Sequence, residues 1–204
     1  MKKNINIFFF GDSVSFGQKT SFEKSWVFLL SDFFSNNSKL RNRFNFNFTN
    51  SSRNGRTTRQ ALEDMPYEVQ SQKIDILFIQ FGLNDSNYWK SDKGLPRVSP
   101  LSFQANTLEI IQRAKKFGVK KIVILNNYLV KVRNKKYIKN TLYYNELLKK
   151  CYKSHKDVFY IDIYKYFIKK NIKNYLNSDG LHLNQKGNFY YYEAVKNKIL
   201  KLIY

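Results

Sequence analysis

Short apolar runs and helix-periodic segments alternate from one end of this chain to the other, and no other feature limits its fold so tightly. Continuous apolar-rich runs at residues 5–10, 74–81, 119–125 and 158–163 read as buried strands. Phe44, Phe46 and Phe48 alternate with Asn, which is the pattern of a strand with one buried face. Between the strands, residues 26–34 place Trp26, Leu29, Leu30, Phe33 and Phe34 at helical spacing. Residues 57–72, 101–117, 137–152 and 184–204 also read as helices. Pro66 predicts a kink or break in the first of these, and Gly118 a C-cap for the second. Residues 86–100, with Gly94, Pro96 and Pro100, read as a long loop.

Strict alternation of strand and helix implies a mainly parallel sheet covered on both faces. Five strands predict an α/β three-layer sandwich of flavodoxin-like type, with strand order 2-1-3-4-5. At 204 residues the chain suits one domain spanning residues 1–204, with no linker or internal repeat. In such sheets ligands bind beyond the carboxyl ends of the strands, where the strand order reverses. Loops after the first three strands should therefore meet, because the first strand lies between the other two.

Composition narrows the function classes. Hydrophobic content of 43% and aromatic content of 17% exclude a disordered chain. Cys151 is the single cysteine, so no internal disulfide can form; a reducing compartment, the cytoplasm, is the expected setting. The N-terminal Met-Lys-Lys-Asn-Ile-Asn-Ile-Phe-Phe-Phe imitates a secretory signal. Its apolar stretch is too short, is broken by Asn6 and meets no small-residue cleavage site, so it reads as the first strand. No run approaches the ~20 apolar residues of a membrane span. The net charge of +21 invites a nucleic-acid reading, a basic nucleic-acid-binding module without catalytic activity. Paired lysines are scattered through the second half instead of forming a stripe, and the chain is rich in Asn, Ile, Phe and Tyr. The charge thus reads as compositional, with no specific nucleic-acid partner and only weak attraction to anionic surfaces at low salt.

Four separated segments carry chemistry: Gly11-Asp12-Ser13-Val14, Gly55, Gly82-Leu83-Asn84-Asp85 and Asp179-Gly180-Leu181-His182. Acyl transfer needs a nucleophile, oxyanion donors, a base and a carboxylate to orient it. Ser13 follows the first strand, where Gly11 allows a sharp turn, and is the candidate nucleophile. Asp12 reads first as a loop-tying residue. Of the two histidines, His155 sits in a charged stretch and reads as surface, whereas His182 lies in a turn-rich loop after the last strand. Asp179, three residues earlier, can reach the imidazole in a single turn of chain and hold its tautomer. Asn84 and the backbone N–H groups of Gly55 and Ser13 would form an oxyanion hole. Each segment alone also reads as an ordinary turn or strand exit, with Asp85 tying its own backbone.

Together, in this order, the segments resemble the conserved blocks of the SGNH hydrolases, the GDSL esterase/lipase family, with Ser13, Gly55, Asn84 and His182 at the namesake positions. Residues 13–26 and 85–89 are similar to the lysophospholipase-L1-like branch. The resemblance implies a serine ester hydrolase working through an acyl-serine, with no metal or cofactor. The 86–100 loop carries Tyr88, Trp89 and Arg97, which together with Asp12 are candidate substrate contacts. Aromatic rings there would stack on a sugar and cations would attract a carboxylate or phosphate. The expected substrate is a small carbohydrate bearing a short, acetyl-like acyl group; the alternative is a lysophospholipase or thioesterase acting on longer chains. A phosphate-binding loop at residues 11–20 is excluded, since five residues separate its glycines instead of four and Gln18 interrupts Gly17 and Lys19.

Overall fold

The computed structural model describes residues 2–130, 135–153 and 155–203. Strands β1 (Lys3–Gly11), β2 (Phe44–Asn50), β3 (Ile76–Gln80), β4 (Lys121–Leu125) and β5 (Val158–Ile161) form a sheet in the order β2-β1-β3-β4-β5. Their pairings are all parallel. The helices are α1 (Ser13–Phe16), α2 (Trp26–Asn36), α3 (Ser38–Arg41), α4 (Thr58–Glu68), α5 (Leu83–Ser86), α6 (Pro100–Lys116), α7 (Lys135–Lys153), α8 (Ile163–Phe167) and α9 (Gln185–Ile203). This is the flavodoxin-like α/β sandwich that the alternation predicts.

The continuous apolar runs follow from burial on two sides. Successive strand side chains point to opposite faces. On β1, Ile5, Ile7 and Phe9 join Trp26, Leu30, Phe34, Tyr191 and Val195 from α2 and α9. Phe8 and Phe10 face the other way, onto Ala61, Met65, Ile110, Ile111 and Leu147 from α4, α6 and α7. The edge strand β2 is different: Phe46 and Phe48 pack on Phe34, with ring centroids 5.2 and 6.3 Å away. Asn45 and Asn47 point to the opposite, exposed side and donate to Asn4 and Asn6 at 3.1 and 2.9 Å. One wet face is why this strand alone alternates.

Some boundaries differ from the sequence pattern. Helix α4 passes through Pro66 and ends two residues later, at Glu68. Proline there removes only the bond to the carbonyl of Leu62, near the helix end, so the turn survives. β5 stops at Ile161 because Asp162 caps α8, its Oδ1 accepting from Lys165 N–H at 3.1 Å. Helices α1, α5 and α8 have four or five residues, too few to show a hydrophobic period. Among the described residues, no helix is long and apolar enough to cross a membrane.

Candidate active site

Ser13, Gly55 and Asn84 lie just past the carboxyl ends of β1, β2 and β3, the three adjacent strands. Gly11 is required by close approach, since a Cβ there would stand 2.9 Å from the Gln80 carbonyl oxygen. Asp12 Oδ1 accepts from Val14 N–H at 2.9 Å and so caps α1, which Ser13 opens. Trp26, fully buried on α2, donates its indole N–H to the Val14 carbonyl at 2.9 Å. The Ser13 turn is thus held from the strand, from its own cap and from a neighbouring helix.

His182 arrives from the far end of the chain. Its Nε2 lies 3.0 Å from Ser13 Oγ, and its Nδ1 lies 2.7 Å from Asp179 Oδ2. Asp179 Oδ1 also accepts the backbone N–H groups of Leu181 and His182, at 2.9 and 3.0 Å. Burial works against the charge on Asp179, but the His182 ring and these two N–H groups outweigh it and hold the carboxyl below its ordinary value. An ionised Asp179 places the imidazole proton on Nδ1 and leaves the Nε2 lone pair facing the Ser13 hydroxyl. The His182 segment is stapled by Tyr128 OH to the Leu181 carbonyl (2.9 Å) and by Thr20 OH to the Leu183 carbonyl (2.9 Å). Asn188, which also accepts from Trp26 N–H at 3.1 Å, donates to the Leu183 carbonyl.

Gly55 sits at φ +73°, with nothing within 4 Å of where a Cβ would project. The Asn84 side-chain amide donates to the Arg56 carbonyl at 3.2 Å, which orients it, and it also favours the charged form of Asp12. Arg97 Nη1 donates to the Gly55 carbonyl at 3.0 Å. Arg56 is itself buried beneath the loop. Its guanidinium donates to the Ser51 carbonyl (2.7 Å), Asp64 (2.7 Å) and Glu68 (2.8 Å), and lies 4.9 Å from the centre of the Phe10 ring. A hydroxyl, an imidazole, a carboxylate and the Asn84 amide therefore share one edge of the sheet.

A model of the GDSL-like lipase/acylhydrolase family matches residues 7–195. The chain belongs to this family. Solved structures of the same fold include a lipase/acylhydrolase from Enterococcus faecalis, 21% identical with a TM-score of 0.78, where 96% of this chain aligns with 95% of that one. An acetylxylan esterase from Geobacillus stearothermophilus is 17% identical with a TM-score of 0.81, covering 97% of this chain and 95% of its own. At these identities the likeness establishes the shared fold. The chain is also 32% identical over 120 residues to the uncharacterized lipoprotein YqeF of Bacillus subtilis (strain 168), a match covering 56% of this chain and 45% of that protein's length.

Other residues of this family member take places that its sequence did not reveal. Asp12, a candidate substrate contact, has no solvent exposure and serves the loop instead. Its Oδ2 lacks a hydrogen-bond partner; burial, with the nearby charge of Asp85 adding, pushes the carboxyl up to about 7. Asp85 does not tie only its own loop: Oδ1 accepts from Thr58 N–H at 2.8 Å and from the Thr58 hydroxyl at 2.6 Å, joining α5 to α4. Burial raises its carboxyl to about 6 despite those bonds. Tyr88 is half-buried, packs against the core and lies 5.4 Å from Lys136 Nζ, so it packs the loop down. Trp89 stays 53% exposed. His155 is half-buried, not on the surface, and precedes β5 at the opposite edge of the sheet.

Arg56, Thr20, Tyr128 and Asn188 had no motif to announce them. Thr20, Tyr128 and Asn188 reach partners far away in sequence, whereas Arg56 pairs with Asp64 and Glu68 of the adjacent α4. Among the described residues, no three His, Cys, Asp or Glu side chains are grouped so as to hold a metal ion.

Proposed function

We propose that the chain is a serine ester hydrolase that passes through an acyl-serine intermediate and removes a short, acetyl-like acyl group from a small carbohydrate-type substrate. The observation that carries this reading is the unbroken chain Asp179–His182–Ser13, at 2.7 and 3.0 Å. His182 Nε2 takes the Ser13 proton as Oγ attacks the ester carbonyl. Negative charge on the former carbonyl oxygen falls to the N–H groups of Ser13, Gly55 and Asn84. The imidazolium, paired with Asp179, then gives its proton to the departing alcohol. Water repeats the cycle on the acyl-serine, and Ser13 is regenerated.

The short-acyl, carbohydrate reading is supported by the exposed Trp89 beside Arg97, whose guanidinium lies 5.8 Å from the indole centre. The acetylxylan specificity named for two proteins of the same fold points the same way. A cytoplasmic setting is supported by the lone, buried thiol of Cys151; the lipoprotein name of the Bacillus subtilis relative points elsewhere. The deciding experiment is hydrolysis of 4-nitrophenyl acetate by wild type, Ser13→Ala and His182→Ala. Both variants should lose at least about 10⁴-fold in kcat/KM. Undiminished turnover by Ser13→Ala removes the mechanism. A preference for long-chain lysophospholipids over acetylated sugars removes the substrate class alone.

A further inference from the structure

We propose that a pocket beside the Gly55 loop is an anion subsite, in which Arg59 and Arg97 bind an oxyanion group, carboxylate or phosphate, carried by the alcohol portion of the ester. The inference rests on the esterase reading. The pocket has a volume of about 530 Å³, and its lining includes Arg59, Gln60, Trp89, Asp92, Leu95 and Arg97. That is far more room than an acetyl group needs and within the range of small-molecule sites. It therefore suits the part of the substrate that leaves.

The charges in this pocket are unusual. Nearby arginines on the same loop are paired: Arg53 and Arg56 both contact Asp64 and Glu68 of α4. Arg59 and Arg97 make no ion pair among the described residues, although they line one cavity. Asp92, the acidic residue in the lining, turns its Oδ2 to the Trp89 N–H at 3.2 Å and forms no ion pair with either guanidinium. Asp85 also acts on Arg97 electrostatically, but it is fully buried and its carboxylate is engaged by Thr58. Two like charges facing one solvent-filled cavity repel each other, and a bound oxyanion would relieve that repulsion while accepting directional N–H bonds. Trp89, Leu95 and Pro96 supply the apolar wall against which a sugar ring would rest.

Arg97 also joins the subsite to the reaction centre. One of its N–H groups holds the Gly55 carbonyl, so its position is coupled to the loop that presents the Gly55 N–H. An anion gripped by the remaining N–H groups would act on substrate placement and loop placement together.

The test is calorimetric titration of Ser13→Ala protein, which binds without turnover. The ligands are an O-acetylated uronic acid and its neutral methyl ester, and an O-acetylated sugar phosphate and its neutral dimethyl ester. At least one anion should bind about tenfold more tightly than its neutral partner, and which one does so identifies the group. Adding Arg59→Gln, an exposed first-turn substitution, should shrink that gap to under about threefold, as should 0.5 M salt. Equal binding of acid and neutral ester in both pairs, or a gap that Arg59→Gln leaves intact, overturns the subsite. Turnover of 4-nitrophenyl acetate by wild type reports separately on the esterase reading, so the two failures are distinguishable.

Discussion

Replacing Asp12 with Asn removes a charge from a carboxyl that has no solvent exposure and one oxygen without a partner. Burial lifts this group from 3.8 to about 7, and each unit corresponds to about 1.4 kcal/mol. The unfolded chain ionises near pH 4, whereas the folded chain keeps its proton until about pH 7. The stabilising contribution is therefore complete below pH 4 and is lost as the pH climbs to 7. By pH 8 the buried charge costs the folded state roughly 4 kcal/mol, against roughly 1.6 kcal/mol at pH 5.

Asn retains an Oδ1 acceptor for the Val14 N–H and never carries the charge; its unpaired amide costs about 1 kcal/mol at either pH. Asp12→Asn should accordingly be near neutral at pH 5 and more stable than wild type by about 3 kcal/mol at pH 8. Urea unfolding at the two pH values, followed through buried Trp26, measures the difference. A stability gap that is constant with pH, or that shrinks as the pH rises, refutes the reasoning.

Asn84→Ala should lower kcat for 4-nitrophenyl acetate by about 10²–10³ with little change in KM, because the lost donor acts on charge that develops only in the transition state. Asp179→Asn should lower kcat at pH 7 by about 10²–10³, less than the ~10⁴ of a fully buried triad carboxylate, because the side chain is 30% exposed and water screens part of its charge. Arg56→Met should cost about 3 kcal/mol in urea unfolding, since Glu68 loses its buried ion-pair partner and keeps only exposed Arg53 and the Ser51 hydroxyl. It should also reduce kcat through the displaced Arg56 carbonyl that orients Asn84, and a loss of stability below 1 kcal/mol would contradict the role assigned to this ion-pair cluster.

Much of this architecture was written in local pattern. Residues 76–79 and 122–125 are apolar throughout because each strand is buried on two faces, and that requirement is visible without coordinates. The Phe-Asn alternation of residues 44–48 likewise announced a strand, and the fold sets it at the sheet edge with one wet side. Strand order placed Ser13, Gly55 and Asn84 on neighbouring loops. The short helices were not legible, since four residues make barely one turn and show no period. Ile163 was misread for a related reason: an apolar residue just after a strand looks the same whether it extends the strand or begins a helix, and the Asp162 cap decides which.

Sequence by itself determined the layer architecture and named the candidate catalytic side chains, because hydrophobic period and residue chemistry are local properties of the chain. Tertiary structure alone decided that His182 Nε2 stands 3.0 Å from Ser13 Oγ, although 169 positions separate the two residues. It alone decided that Arg56 is buried under the Gly55 loop while Arg59 and Arg97 are left facing a cavity. It also turned Asp12 from a candidate substrate contact into a buried, proton-sensitive support. Distances, burial and ion pairing depend on which distant segments pack together, and pairwise packing across the sheet edge leaves no periodic trace in a single sequence.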